Sequence, residues 1–220
     1  MKNNESAEFG SGQMTPTLYQ TSISPEEIAA LELASFPGEI VVVDAQDEVF
    51  AQAVRYLKKQ KVLGFDTETR PTFSPDQPSS GTALLQLSGS GKAFLFRLKK
   101  CGLPRSLASI LANPAIVKVG AATLDDVRGL QKITRFSPMG FVDLQNCVWE
   151  YGIRDKSVKK MTAIILGVKI SKAQQLSNWE AEKLSESQQR YAATDAWVCR
   201  EMYLRLQASE KNPLTPEQHG

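Results

Sequence analysis

Short apolar runs alternate with amphipathic segments through the middle of this chain. Runs rich in β-branched and aromatic residues predict strands over 40–43, 62–68, 82–87, 93–98 and 116–119. Apolar residues at helical spacing predict helices over 47–60, 103–111 and 125–133. Val142 is predicted to close the sheet, and the chain after Leu144 is predicted to be helical. This order predicts an α/β fold in which helices flank a central mixed β-sheet.

The polar ends of the chain are predicted to lie outside this domain. Residues 1–22 are rich in glycine, serine, asparagine and glutamine and lack a periodic apolar face, which predicts a disordered tail. The domain itself is predicted over residues 23–207, and residues 208–220 are predicted to form a C-terminal tail.

Composition narrows the class of protein without identifying it. The 220 residues are 42% hydrophobic, which suits one domain with a substantial core, and the formal net charge is only +2. Any attraction to nucleic acid must therefore be local. Cys101, Cys147 and Cys199 are widely spaced and odd in number, which argues against a disulfide framework or a thiolate zinc site. Neither a membrane-length apolar run nor a signal-peptide segment occurs, which predicts a cytoplasmic protein without a membrane partner.

The predicted strand over 62–68 ends in two carboxylates. Successive side chains of a strand point to opposite faces, so Asp66 and Glu68 share one face of the sheet. Like charges repel there, and an ionised carboxylate buried without a partner is costly, whereas a divalent cation would remove that cost. In the alternative interpretation, the strand stops at Phe65 and both acids are solvated loop residues.

Two further acids are predicted to face the core from helices. Asp126 lies on the stripe of Leu130 and Ile133, although the helix dipole alone also favours an acid in a first turn. Asp195 shares a stripe of the last helix with Tyr191, and about 6 Å of helical rise separates the two residues. The alternative for this pair is a core tyrosine beside an aspartate that caps a neighbouring segment.

Asp66, Glu68, Asp126 and Asp195 together form a candidate metal site. Carboxylate oxygens suit hard divalent cations such as Mg²⁺ or Mn²⁺. Two ions about 3.5 to 4 Å apart need a bridging carboxylate and several terminal ones, and the predicted acids have the right number and type.

At these residues the sequence resembles the DEDDy 3′-5′ exonuclease superfamily, close to the Werner-syndrome-type exonuclease domain and ribonuclease D. The matching motifs are Phe65-Asp66-Thr67-Glu68, then Lys118-Val119-Gly120 followed by Asp126 and Leu130, then Tyr191-Ala192-Ala193-Thr194-Asp195-Ala196. The resemblance covers roughly residues 40 to 207. The first motif alone is weak, whereas three motifs in order with the Tyr-x-x-x-Asp spacing are specific.

The resemblance implies a ribonuclease-H-like fold and the removal of nucleotides one at a time from the 3′ end of DNA, RNA or both. It implies that the four acids hold two Mg²⁺ or Mn²⁺ ions and that Tyr191 orients the attacking water. A tyrosine with a pKa of about 10 stays protonated at neutral pH, so hydrogen bonding is favoured over proton abstraction. The related branch that uses histidine is disfavoured, because the only histidine is His219, outside the motif.

Basic and aromatic residues near the third motif are candidate contacts for a single-stranded 3′ end. Six basic residues and one acid, Asp155, occur between residues 154 and 172: Arg154, Lys156, Lys159, Lys160, Lys169 and Lys172. Such a patch can hold a phosphate backbone, although it is equally typical of the solvated face of a helix. Trp179 is predicted either to stack on a base or to pack against the last helix, and Arg70 to line the pocket for the 3′ end.

The sequence leaves two rival functions open. One is a nucleic-acid-binding or assembly module whose nuclease site is inactive, against which the intact acids argue. The other is a metal-dependent endonuclease on the same fold, which would cut circular substrates, whereas an exonuclease requires an end. The choice between DNA and RNA, the oligomeric state and the processivity leave no signal in the sequence.

Overall fold

Residues 18–71 and 81–215 are described by the structure, a computed structural model. Within them, six strands form one sheet in the order β1-β4-β3-β2-β5-β6. The strands are β1 Glu39–Val43, β2 Val62–Thr69, β3 Thr82–Ser88, β4 Lys92–Arg97, β5 Val117–Gly120 and β6 Phe141–Asp143. Strand β3 runs antiparallel to β2 and β4, and the other neighbouring pairs are parallel. The predicted mixed sheet is therefore confirmed, with β2 near its centre.

Helices connect and cover these strands. They are α1 Pro25–Ala30, α2 Glu48–Leu57, α3 Leu98–Cys101, α4 Arg105–Leu111, α5 Thr123–Ile133, α6 Val158–Leu166 and α7 Glu186–Gln207, with short 3₁₀ turns at Leu144–Asn146 and Val148–Tyr151. The helix predicted over 103–111 begins only at Arg105, because Gly102 has a φ of 68° and Pro104 precedes the helix. None of these helices is long and apolar enough to cross a membrane.

The prediction that everything after Leu144 is helical is wrong for the segment between α6 and α7. Gly167 adopts a φ of 69° and ends α6 in the left-handed conformation that glycine favours. Lys169 then pairs with Leu33 in a parallel bridge, and its carbonyl accepts a hydrogen bond from the Ala34 amide at 2.8 Å. Contacts with an earlier part of the chain therefore replace local helical bonds here.

Helices cover both faces of the sheet, and α7 covers the face that carries the candidate site. Leu84 and Leu95 pack beneath Trp197 and Val198 of this helix, and a second core lies on the opposite face with α2, α4 and α5. The helix crosses β2 at Gly64, where an added Cβ atom would lie 1.8 Å from the carbonyl oxygen of Ala196. Only glycine allows this approach, which brings the motifs of β2 and α7 together.

The packed domain extends beyond the predicted boundaries at residues 23 and 207. The hydroxyl groups of Tyr19 and Ser209 are hydrogen-bonded at 2.7 Å, and the Asn212 amide donates to the Glu150 carbonyl at 2.9 Å. Sequence patterns missed these ends because neither has an amphipathic period. Residues 1–17 and 216–220 of the two predicted tails, including His219, lie outside the described part of the chain.

Candidate active site

Strand β2 carries the first two acids and does not stop at Phe65. It continues to Thr69, so Asp66 and Glu68 lie on one face of a regular strand, and the alternative of two loop acids is wrong. Phe65 points the other way, is fully buried and meets Phe141 edge-on with the ring centroids 5.1 Å apart. The alternation read from the sequence therefore holds along this strand.

Helix α7 brings the third acid to the same place. Ser185 begins the helix with a capping box in which its side chain accepts from the Gln188 amide. Asp195 follows Tyr191 by one turn and reaches the β2 acids where the helix crosses the strand. One carboxylate oxygen from each of Asp66, Glu68 and Asp195 lies within 4.8 Å of the other two. We call these three residues the acid cluster.

Asp126 lies beside the acid cluster and is not one of its members. Its carboxylate accepts a hydrogen bond from the Thr67 hydroxyl at 2.5 Å. The predicted stripe on α5 is partly wrong, because Leu130 is buried but Ile133 is 41% exposed. Asp126 nevertheless contributes its charge to the fields at Asp66 and Glu68. The sequence interpretation missed the role of Thr67, whose signal is only its place between the two motif acids.

Burial and mutual repulsion change the acidity of the cluster. Burial and then the charges of Asp195, Glu68 and Asp126 raise the pKa of Asp66 well above its usual value. Burial and then the charges of Asp195 and Asp126 raise the pKa of Glu68 to about 8. Burial also raises the pKa values of Asp126 and Asp195 to about 6, against the hydrogen bonds from Thr67 and Tyr191 respectively. Without a cation, Glu68 holds at neutral pH a proton that an exposed acid would release, and Asp126 and Asp195 keep theirs to a higher pH than exposed acids do.

The donor set fits a hard divalent cation. The cluster offers carboxylate oxygens only, and these are the ligands that Mg²⁺ and Mn²⁺ prefer. Lys172 is an exposed residue whose positive charge lowers the pKa of Asp195. A cation would therefore relieve the repulsion that raises these pKa values.

Tyr191 supplies a hydroxyl group next to the acid cluster. The hydroxyl is hydrogen-bonded to the Asp195 carboxylate, and the side chain is almost completely buried. Burial and the charges of Asp195 and Glu68 raise the pKa of Tyr191 above its usual value. The phenol therefore keeps its proton at neutral pH and acts as a hydrogen-bond donor.

A cavity of about 340 Å³ opens beside these groups. Its wall includes Asp66, Glu68, Gln145, Lys172, Tyr191 and Asp195. The Cys199 side chain also lines it, one turn after Asp195, and is a free thiol. This volume lies within the range of small-molecule sites. The cavity can therefore hold a small group such as the end of a polymer next to the acids.

The predicted substrate contacts divide into one that lines the cavity and three that do not. Lys172 lines it. The Lys169 ammonium instead donates to the Ala29 carbonyl at 2.5 Å, on the side of α1. The Arg70 guanidinium lies 3.6 Å from the Glu180 carboxylate. Lys172 is therefore the predicted contact that lines the same cavity as the acids.

Trp179 occupies the core and has no free face for a base. Its side chain is 1% exposed, and its ring centroid lies 6.0 Å from that of Tyr191. The packing alternative is therefore the one that agrees with the structure. Part of the basic patch is also engaged internally, because the Lys160 ammonium pairs with the Asp155 carboxylate at 2.8 Å.

Comparison with known proteins gives a family match over residues 40–209, to the family described as 3′-5′ exonuclease. Exonuclease 3′-5′ domain-containing protein 2 of Mus musculus is 32% identical over 194 residues, which are 81% of this chain and 29% of that protein. Ribonuclease D of Gluconacetobacter diazotrophicus is 27% identical over 183 residues, which are 81% of this chain and 45% of that protein. The chain thus spans less than half the length of these curated relatives.

Among solved structures, the Nibbler EXO domain of Aedes aegypti superposes with a TM-score of 0.69 and 22% identity, over 80% of this chain and 91% of that one. At this identity the similarity supports the fold, and it agrees with the ribonuclease-H-like fold that the motifs imply. The family match covers the strand that carries Asp66 and Glu68 and the helix that carries Tyr191 and Asp195. The chain therefore belongs to the 3′-5′ exonuclease family.

Proposed function

We propose that this protein is a divalent-metal-dependent 3′-5′ exonuclease that hydrolyses nucleotides one at a time from the 3′ end of DNA, RNA or both. The observation that carries the proposal is the acid cluster, three carboxylates from β2 and α7 with oxygens within 4.8 Å, beside the Tyr191 hydroxyl. Isolated buried acids of this kind would be a net cost to the fold. A metal-dependent reaction accounts for their being kept together.

Asp66, Glu68 and Asp195 would hold the metal ions, Mg²⁺ or Mn²⁺, and Asp126 would complete the set from the Thr67 side. Bound ions would supply positive charge to the scissile phosphate and to the leaving oxygen, as in other two-metal sites. Asp66 is the acid on which the charges of the three others all act, so bound cations would relieve the repulsion at this residue.

The remaining groups position the substrate and the attacking water. Tyr191 keeps its proton, so its hydroxyl can donate to a water oxygen or a phosphate oxygen next to Asp195. Lys172 at the cavity rim can contact a backbone phosphate as a point charge, without selecting a base. The contacts proposed here are to water and phosphate and not to base edges, so weak sequence preference and strong salt dependence are expected.

The test is digestion of 5′-labelled single-stranded DNA and RNA with Mg²⁺, with Mn²⁺ or with EDTA. We expect a ladder of products shortened from the 3′ end with a metal ion and intact strands with EDTA. Both sugars belong in the test, because one relative is named for ribonuclease activity and the other is not. The ladder reports polarity and sugar preference together.

Two variants distinguish the loss of an acid in the cluster from the loss of a negative charge on the surface. Asp66→Asn should abolish the ladder, whereas Asp125→Asn should preserve it, because the Asp125 carboxylate is exposed and pairs with Arg128. Cleavage of a circular strand would instead support an endonuclease. Tight binding of strands without release of nucleotides under any metal condition would support the inactive binding module.

A further inference from the structure

Strand β3 carries one polar side chain where the structure gives no partner. Gln86 is 0% exposed, and neither its amide nitrogen nor its amide oxygen has a hydrogen-bond partner among the described residues. A buried polar group without a partner destabilises a fold, and native structures rarely keep one without a reason. Leu84 on the same strand and Leu95 opposite show that apolar residues otherwise fill this face.

The sheet register places Gln86 directly opposite Asp66. The two residues are paired across the antiparallel strands β2 and β3, so their side chains project from the same face. Directly opposed residues have Cβ atoms about 4.5–5.5 Å apart, which is within the reach of a glutamine amide. Its neighbour across β4 is Leu95, and the Ser88 hydroxyl already donates to the Gly89 carbonyl at 3.1 Å. Of the two residues paired with Gln86 across the sheet, Asp66 is therefore the one with a polar side chain, and its carboxylate can accept from the Gln86 amide N–H.

A carboxamide has the chemistry that this position requires. Its N–H groups can donate to a carboxylate oxygen, yet it carries no charge, so it does not compete with a cation for the acid cluster. A lysine or arginine at the same place would neutralise Asp66 and weaken cation binding. Groups behind a metal-binding side chain act in this way by fixing its orientation.

We propose that Gln86 is a positioning residue for Asp66: its amide N–H donates to one oxygen of the Asp66 carboxylate and turns the carboxylate towards the metal ions. This inference rests on the proposed function, because it needs ions at the acid cluster. It gives the amide nitrogen the partner that the metal-free structure lacks. It also makes β3, which contributes no acid, part of the site.

The test measures Mn²⁺ affinity by calorimetry for the wild type, Gln86→Leu and Gln86→Met. We expect both variants to bind Mn²⁺ roughly 10- to 100-fold more weakly, which is the usual effect of losing a group behind a metal ligand. Their melting temperatures in EDTA should equal or exceed that of the wild type, since an unpartnered buried amide has been removed. A purely structural role would lower the melting temperature and leave Mn²⁺ affinity unchanged.

Thr162→Val is the matched control, because Thr162 is equally buried on α6 and its hydroxyl donates to the Met202 sulfur at 3.7 Å. It should keep wild-type Mn²⁺ affinity.

A folded Gln86 variant with Mn²⁺ affinity within about two-fold of wild type overturns the inference and leaves the proposed function standing. If neither variant folds, the Gln86 side-chain amide of the ¹⁵N-labelled wild type decides: an NMR signal unchanged by saturating Mg²⁺ overturns it. A wild type that binds no Mn²⁺ overturns both proposals.

Discussion

The Tyr191 hydroxyl has a fixed position and keeps its proton at neutral pH. It is hydrogen-bonded to Asp195, and burial beside negative charge keeps it protonated. A group that never releases its proton cannot act as the base that activates water. Its contribution is therefore orientation, through a donor fixed by the ring packing of Trp179 at 6.0 Å.

Tyr191→Phe removes this donor and keeps the ring. We expect kcat to fall by about 10²-fold, because a positioned hydrogen bond to the reacting groups is lost, while Mn²⁺ affinity changes little. Single-turnover digestion of a labelled strand measures the first effect and calorimetry the second. Tyr203→Phe, on the same helix but outside the cavity wall, should behave as wild type. Unchanged turnover in Tyr191→Phe would show that the hydroxyl has no role.

At the scale of elements, the site depends on how closely α7 approaches β2. The contact at Gly64 is between backbone atoms, which cannot rotate away as side chains do. Asp195 and the β2 acids come from different elements, so their separation follows directly from this contact. The sequence shows that Gly64 lies within an apolar run, but it does not show that the Ala196 backbone packs against this glycine.

Gly64→Ala should therefore damage both the fold and the site. An added Cβ atom would lie 1.8 Å from the Ala196 carbonyl oxygen, so α7 must shift. We expect a loss of about 3 kcal/mol in the free energy of unfolding, from overpacking, and weaker Mn²⁺ binding. Urea denaturation and calorimetry measure the two effects. Gly91→Ala is the control, because a Cβ atom there meets nothing within 4 Å. Equal stability of the two variants would contradict the role of Gly64.

The start of α5 depends on Asp143, a residue that the sequence interpretation overlooked. Ala122 precedes the helix with a φ of 57°, and the Asp143 carboxylate accepts from the Ala122 and Thr123 amides at 3.1 and 3.0 Å. It acts as an N-cap supplied from β6 and not from the helix itself. Because a capping residue is normally sought next to its helix, no local pattern reveals it.

Asp143→Ala should loosen the first turn of α5, which carries Asp126. We expect a loss of about 1–2 kcal/mol in the free energy of unfolding, the usual cost of removing a cap, to which the lost hydrogen bond from the Gln145 amide at 3.0 Å also contributes. Asp125→Ala in the same turn should lose much less, because its pair with Arg128 is exposed. Thermal unfolding in EDTA measures both variants. Equal losses would indicate that the Asp143 carboxylate does not hold this turn.

At the scale of the whole molecule, the periodicity of apolar residues was sufficient to predict most helices and strands. It also predicted the faces on which Asp66, Glu68, Asp195 and Tyr191 lie. Each of these faces follows from the helical or strand periodicity within a single element. Local patterns failed where partners are distant in sequence, as with the bridge between Leu33 and Lys169. Trp179 lies in the segment between α6 and α7, which has neither helical nor strand periodicity. Its burial therefore could not be predicted from a local pattern either. The acids could be predicted because their chemistry is visible in the sequence, and their supports could not because they depend on tertiary contacts.

The acid cluster also links the stability of the whole domain to pH. The pKa of Glu68 is raised from 4.5 to about 8, so between these values the folded state binds more protons than the unfolded state. Stability contributed by such a group is present at low pH and is lost as pH rises through the folded pKa. Asp126 and Asp195, with pKa values of about 6, act in the same direction at lower pH. Lys118 acts oppositely, but only above its pKa of about 8.

We therefore expect the melting temperature in EDTA to fall from pH 5 to pH 8, by at least the 2–4 °C that about 1 kcal/mol produces in a chain of this size. Mn²⁺ requires deprotonated carboxylates, so its stabilisation should be small at pH 5 and large at pH 8. Differential scanning calorimetry at both pH values, with and without Mn²⁺, measures this crossover. Glu68→Gln should flatten the profile in EDTA, because the neutral amide has no proton to lose. A wild-type melting temperature that rises with pH in EDTA would show that the buried acids are already compensated without a metal ion.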